Sequence, residues 1–159
     1  MTEQPEQHRQ YIDSLIWVIL WICMIWGHSF MNGFVSGNES GAIVRLVTPL
    51  AQSLQVYDTD LVTFVVRKCA HFTEYLILGL FVSHAARLRW HQVKAAVFKT
   101  ALTIVAVSLV DEFVIQANTV GRSPSFRDVL IDCAGACAGL LILYLRARHR
   151  RRTRSKDTA

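Results

Sequence analysis

The segment LVTFVVRKCAHFTEYLILGLFVSHAA, residues 61–86, decides the fold because it combines an apolar run of membrane-spanning length with ionisable side chains. Arg67, His71 and Glu74 follow one another at steps of four and three residues, so they share one face of a helix. An ionisable group in hydrocarbon costs about 2.5–3.5 kcal/mol on insertion scales and requires a partner. The segment therefore predicts a transmembrane helix packed against other polar-bearing helices.

Three further apolar runs, residues 15–31, 93–117 and 129–145, flank this segment. The 159-residue chain is 52% hydrophobic and 18% charged, with a mean hydropathy of +0.31. This composition excludes a secreted disulfide-bonded domain, a disordered chain and a soluble cytosolic enzyme. We predict an all-α membrane protein with four transmembrane helices. Its parts are a cytoplasmic N-terminal segment (1–14), a four-helix membrane domain (15–145, polar motifs 67–128) and a basic cytoplasmic tail (146–159).

The basic residues predict the orientation. Seven of the 17 lysines and arginines lie between Arg146 and Lys156, and Arg87, Arg89, Lys94 and Lys99 surround the link between the second and third runs. The positive-inside rule then places both termini in the cytoplasm. Because so much of the net charge of +5 lies directly after an apolar helix, membrane lipid is the expected partner and nucleic acid is not.

The connection between the first two runs contains a helical pattern of apolar residues. Its members are Ile43, Leu46, Val47, Leu50 and Leu54. The pattern predicts a short amphipathic helix in the first extracytoplasmic loop, which either lies on the membrane surface or packs on its neighbours. Near the other end of the chain, Gly135 and Gly139 form a small-xxx-small motif that predicts close helix packing within the chain.

Polar residues of three predicted helices reach similar depths in the outer half of the membrane. Arg67, His71 and Glu74 come from the second, and Asp111, Glu112 and Gln116 from the third. The fourth begins at Asp128 and carries Asp132 on the same face. Asp111 and Glu112 are adjacent, so an ideal helix would point them about 100° apart and prevent both from facing one partner. These depths predict a polar pocket open to the extracytoplasmic side.

Two motifs resemble those of the VanZ-like family. The first is Arg67-Lys68-Cys69-Ala70-His71-Phe72-Thr73-Glu74-Tyr75-Leu76 with Leu78-Gly79. The second is Asp111-Glu112-Phe113-Val114-Ile115-Gln116, followed by Gly121-Arg122-Ser123 and Asp128. The resemblance implies a bacterial inner-membrane protein of the cell envelope, and the name-giving member is linked to resistance to the glycopeptide antibiotic teicoplanin. The family's polar positions correspond here to Arg67, Lys68, His71, Glu74, Asp111, Glu112, Gln116, Arg122 and Asp128.

The polar residues are consistent with three readings. In the first, an enzyme acts on an envelope lipid or lipid-linked precursor, with His71, Glu74, Glu112 and Asp128 as catalytic candidates. Arg67, Arg122, Gln116 and Asp111 would bind the substrate, the arginines holding an anionic headgroup or phosphate. In the second, the same arginines bind the headgroup without chemistry. In the third, the buried charges only hold the helices in register.

No cofactor follows from these residues. A divalent metal held by His71, Glu74, Glu112 and Asp128 is a variant of the enzyme hypothesis. With only one histidine in the set, the ligand types do not favour zinc. The four cysteines have no metal-binding spacing and are expected to act as small buried hydrophobes. The sequence does not define an oligomeric state.

Overall fold

A computed structural model describes residues 5–30, 44–90, 92–120 and 122–156, and these ranges contain helices and short connections but no strand. The helices are α1 (Pro5–Phe30), α2 (44–53), α3 (Thr59–Arg89), α4 (Val93–Val110) and α5 (Phe126–Lys156). Helix α4 continues through a π-helical turn, Asp111–Ile115, and a 3₁₀ turn, Gln116–Asn118. The predicted all-α class is confirmed.

Three helical stretches of the described chain are long and apolar enough to cross a membrane. They are Pro5–Phe30, Val93–Asn118 and Phe126–His149. Helix α3 has 31 residues, about 46 Å at 1.5 Å per residue, but its charged residues set it apart from these apolar stretches. The helices also extend beyond the apolar runs, since α1 begins at Pro5 and α5 continues to Lys156.

Many large apolar side chains face outward, and several ionisable side chains are buried together with apolar ones, which is unlike a soluble domain. Large residues such as Trp17, Phe98 and Leu130 are mostly exposed on the three apolar stretches. Asp111, Glu112 and Asp132 are completely buried. This distribution fits lipid as the surrounding solvent, because lipid solvates apolar side chains while polar groups must find partners inside the bundle.

Helix α3 is the centre of the bundle and contacts α1, α4 and α5. Its closest neighbour is α5, where glycines bring the two backbones into direct contact. A Cβ atom at Gly135 would overlap the carbonyl oxygen of Phe72, and one at Gly139 would overlap that of Leu76. The predicted role of these two glycines in packing within the chain is confirmed. Small residues permit this approach because no side chain separates the helices.

Contacts along the helices show their relative directions. Helices α3 and α5 are parallel, since Lys68 pairs with Asp128 near their beginnings and Arg87 donates to the Leu143 carbonyl near their ends. Helix α1 is antiparallel to α3, because Gln7 donates to the Leu88 carbonyl. The end of α1, the start of α3 and the connection before α5 therefore lie at the same end of the bundle.

The predicted amphipathic helix is present as α2. Val44 and Ala51 are buried against Val62 of α3, whereas Leu46 and Leu50 of α2 and Leu54, which follows the helix, are exposed. Ile43, also part of the predicted pattern, lies outside the described residues. Helix α2 thus packs on α3 through one face and presents an apolar face outward. The sequence offered packing on neighbours and lying on the membrane surface as alternatives, and this arrangement is compatible with both.

Candidate functional site

The π-helical turn at the end of α4 builds the inner part of the site. The backbone N–H of Gln116 donates to the carbonyls of both Asp111 and Glu112, and this wider turn alters the directions of the side chains within it. Gln116 Nε2 then donates to Asp111 Oδ2 over 3.3 Å and to Glu112 Oε1. The expectation that adjacent Asp111 and Glu112 could not share a partner is wrong, because it assumed ideal α-helical geometry.

The first feature of the site is a cluster of His71, Asp111, Glu112 and Asp132, here called the buried acidic cluster. One potential ligand atom of each residue lies within 4.8 Å of those of the other three. His71 Nδ1 is 3.3 Å from Asp132 Oδ1. Three helical segments supply the cluster: α3, the π-helical turn and α5. It thus joins ionisable groups from the three elements that were expected to converge.

Neighbouring groups hold the carboxylates of the buried acidic cluster in place. Ser108 Oγ donates to Asp132 Oδ2 over 2.7 Å, and the backbone N–H of Ser125 donates to Glu112 Oε2 over 3.0 Å. These bonds come from α4 and from the connection before α5. The carboxylates are therefore oriented by donors from more than one part of the fold.

Two predicted site carboxylates lie outside this cluster. Glu74 Oε1 is 2.8 Å from His28 Nδ1 of α1, and Asp128 pairs with Lys68. The carboxylate paired with His71 is Asp132. The catalytic roles assigned to His71, Glu74, Glu112 and Asp128 stay predictions.

The second feature is a cleft of about 710 Å³ at the end of the bundle where α3 and α5 begin, here called the basic cleft. Four basic residues are among those lining it: Arg67, Lys68, Arg122 and Arg127. Arg67 is half-buried and makes no hydrogen bond or ion pair within the described parts of the chain. Burial, followed by the Arg67 charge, lowers the pKa of Arg122. Asp60 and Asp128 also line the cleft, so its lining has two more basic than acidic side chains.

Gln116 joins the two features. Its Nε2 donates into the buried acidic cluster, while its Oε1 accepts from Arg122 Nη1 over 3.4 Å. Arg122 Nη2 also donates to the His28 carbonyl over 3.3 Å, which connects the loop to α1. A group bound in the basic cleft would thus be one side chain away from the carboxylates.

Sequence reasoning missed three participants. Asp132 was placed on the Asp128 face but left out of the predicted site, although the four-residue spacing was a usable signal. Ser108 precedes Glu112 by four residues, yet a hydroxyl in an apolar run is a weak signal. His28 lies at the end of the first apolar run, and nothing in that run indicates a carboxylate partner on another helix.

Comparison with known families agrees with the motifs. The VanZ/LLP1 family profile matches residues 14–147, which include every residue of the buried acidic cluster and the basic cleft. No curated protein and no solved structure shows a significant match to the chain. The family match covers far more than half of the 159 residues. The chain therefore belongs to the VanZ/LLP1 family.

Proposed function

We propose that this protein binds the anionic headgroup of a cell-envelope lipid, or of a lipid-linked phosphate precursor, in the basic cleft. The observation that carries the proposal is Arg67, a half-buried guanidinium without an ion-pair partner among the described residues and electrostatically coupled to Arg122. The two guanidinium groups repel each other, and an anion bound between them would relieve that repulsion. Guanidinium donors match phosphate oxygens in a bidentate geometry, which makes a phosphate headgroup the natural occupant.

The proposal includes a location and an orientation. The protein would cross the bacterial inner membrane four times with both termini in the cytoplasm, so that the basic cleft faces the extracytoplasmic side. The helix directions support this, because the cleft lies at the opposite end of the bundle from Arg87 and the end of α5. The described α3 is 31 residues long, sufficient for a spanning helix whose charges face its neighbours.

Reporter fusions test this orientation. We expect a fluorescent protein fused after residue 159 to fluoresce in the cytoplasm, and alkaline phosphatase inserted after Ser123 to be active outside it. The physical reason is the concentration of basic residues at the cytoplasmic end. The reverse pattern at both positions would contradict the proposed orientation and would place the cleft in the cytoplasm.

Lipid retention tests headgroup binding. We expect the full-length chain, purified in detergent, to retain phosphatidylglycerol or undecaprenyl phosphate over phosphatidylcholine in native mass spectrometry. Arg67→Gln should reduce retention about tenfold or more, because one charge-assisted contact of about 1.5–3 kcal/mol is removed. Arg89→Gln, at the other end of α3, is the matched control and should bind like the native chain. Equal retention of all lipids by all three proteins would refute the proposal. If one lipid is preferred, its identity shows whether the bound phosphate belongs to a phospholipid headgroup or to a lipid-linked precursor.

A chemical step on the bound headgroup is the second candidate function, favoured by the short connection from the basic cleft through Gln116 to His71 and Glu112. An imidazole oriented by a carboxylate is suited to proton transfer. Mass spectrometry of envelope lipids incubated with the native chain and with Glu112→Gln distinguishes the two functions. A lipid converted only by the native chain supports catalysis. A lipid that both proteins retain unchanged supports headgroup binding, with the buried charges serving only to hold the helices together.

Through this headgroup contact, we also propose an effect on glycopeptide susceptibility, which the family resemblance suggests. Teicoplanin acts at the cell envelope, so a protein that binds an envelope lipid is placed where it could alter the response. Cells expressing the native chain should tolerate more teicoplanin than cells expressing Arg67→Gln at equal protein level. Equal susceptibility of both strains and of a strain lacking the protein would remove this part of the proposal.

A further inference from the structure

Buried carboxylates outnumber the cations in direct contact with them. Asp111, Glu112 and Asp132 are completely buried, and His71 is the one basic side chain in their cluster. Lys68 pairs with Asp128 and His28 with Glu74, while Arg122 reaches the cluster only through Gln116. Three carboxylates and one imidazole therefore leave an excess of two negative charges when all four are ionised. Such an excess inside a membrane protein requires neutralisation, either by protons or by a cation.

A second, independent observation comes from atoms without hydrogen-bond partners. Within the described residues, Asp111 Oδ1 is buried without a hydrogen-bond partner, and His71 Nδ1 and Asp132 Oδ1 face each other over 3.3 Å without meeting hydrogen-bond geometry. The other oxygens of the same aspartates are bonded, Asp111 Oδ2 to Gln116 and Asp132 Oδ2 to Ser108. Buried polar atoms are normally satisfied. Asp111 is thus oriented through one oxygen and unbonded at the other, which is the arrangement that outer-shell donors give to metal ligands.

We propose that His71, Asp111, Glu112 and Asp132 bind a divalent metal ion. Metal–ligand bonds of about 2.0–2.2 Å place the ligand atoms of one ion up to about 4.4 Å apart. The four ligand atoms lie within 4.8 Å of one another, so they would move closer together to enclose one ion. Three carboxylates with one imidazole suit Mn²⁺, which accepts hard oxygen ligands together with nitrogen. His71 would bind as the neutral imidazole, so the ion would reduce the three negative charges of the carboxylates to one.

This ligand set differs from the one weighed from the sequence. Glu74 pairs with His28, and Asp128 pairs with Lys68. In the proposed ligand set, Asp111 and Asp132 replace these two carboxylates. Gln116 lies between the ion site and Arg122, and so between the ion site and the basic cleft. The metal site does not depend on headgroup binding, because Arg67 and Arg122 are not among its ligands.

Titration of the purified full-length chain with Mn²⁺ tests the site. After treatment with chelator, we expect the native chain to bind one Mn²⁺ and to unfold about 5 °C higher in saturating Mn²⁺, since an ion bound by the folded state stabilises it. Asp111→Asn and Asp132→Asn should weaken binding about 100-fold or more and remove the thermal shift. Glu74→Gln is the matched control, a carboxylate of α3 outside the ligand set, and should bind within about threefold of the native chain.

Two results would overturn the site: a folded native chain that binds no Mn²⁺, or binding that Asp111→Asn and Asp132→Asn leave unchanged. The first result would mean that protons neutralise the cluster. Helical circular dichroism verifies each variant, and His71→Gln, which removes one ligand but no carboxylate, replaces an Asn variant that does not fold. Arg67→Gln should retain Mn²⁺, so loss of lipid binding and loss of metal binding can be told apart.

Discussion

Replacing Gly135 by alanine should destabilise the folded protein by about 2–3 kcal/mol, although alanine is the better helix former. The added methyl would overlap the carbonyl oxygen of Phe72 and approach the backbone nitrogen of Leu76 to 3.2 Å. A backbone atom cannot rotate away as a side chain does, so relief requires moving α5 away from α3. That movement would also separate His71 from Asp132, because these residues join the same two helices. Thermal unfolding in one detergent, followed by tryptophan fluorescence, measures the effect.

Gly27→Ala is the matched control. Gly27 lies in the last turn of α1, and a Cβ there meets nothing within 4 Å. This substitution should leave stability unchanged or raise it by about 0.5–1 kcal/mol, since the unfolded chain loses freedom and no clash forms. If Gly135→Ala stabilised the protein as Gly27→Ala does, the direct backbone contact between α3 and α5 would be wrong.

Replacing Lys68 by methionine should cost about 3 kcal/mol of folding free energy, because it leaves the carboxylate of Asp128 buried without its cation. Asp128 is nearly buried, with a side chain 8% exposed, and Lys68 is 24% exposed. The pair also ties the start of α5 to α3, beside the basic cleft. The same thermal unfolding measurement applies, and Lys68→Arg should keep most of the stability because it retains the charge.

A double substitution measures the interaction between Lys68 and Asp128 apart from the effect of losing either side chain. Lys68→Met with Asp128→Asn should recover at least half of the loss, because no unpaired charge then remains. Lys99→Met serves as the control for losing a lysine, since Lys99 is exposed on α4, and its effect should stay within about 0.5 kcal/mol. Additive losses in the double variant would show that Lys68 and Asp128 do not interact.

Much of the fold could be predicted from local patterns. Apolar runs of spanning length indicated where helices α1, α3, α4 and α5 lie, and the small residues around Gly135 and Gly139 indicated a close helix contact. The position of a residue along its helix follows from its number. The sequence therefore also predicted that His71, Glu112 and Asp128 lie at similar depths along their helices. These properties belong to single helices, which is why they are readable without a structure.

Partner choice could not be predicted in this way. The face that each helix presents depends on its rotation, and the π-helical turn at Asp111–Ile115 changes that rotation by inserting extra backbone into the turn. The sequence therefore determined an all-helical chain of the VanZ/LLP1 family with ionisable groups collected at one depth. Only the tertiary structure decided that Glu74 pairs with His28, that Asp128 pairs with Lys68, and that Asp132 joins His71. The physical reason is that pairing between buried charges depends on distances of a few ångströms between helices, which side-chain periodicity within one helix does not specify.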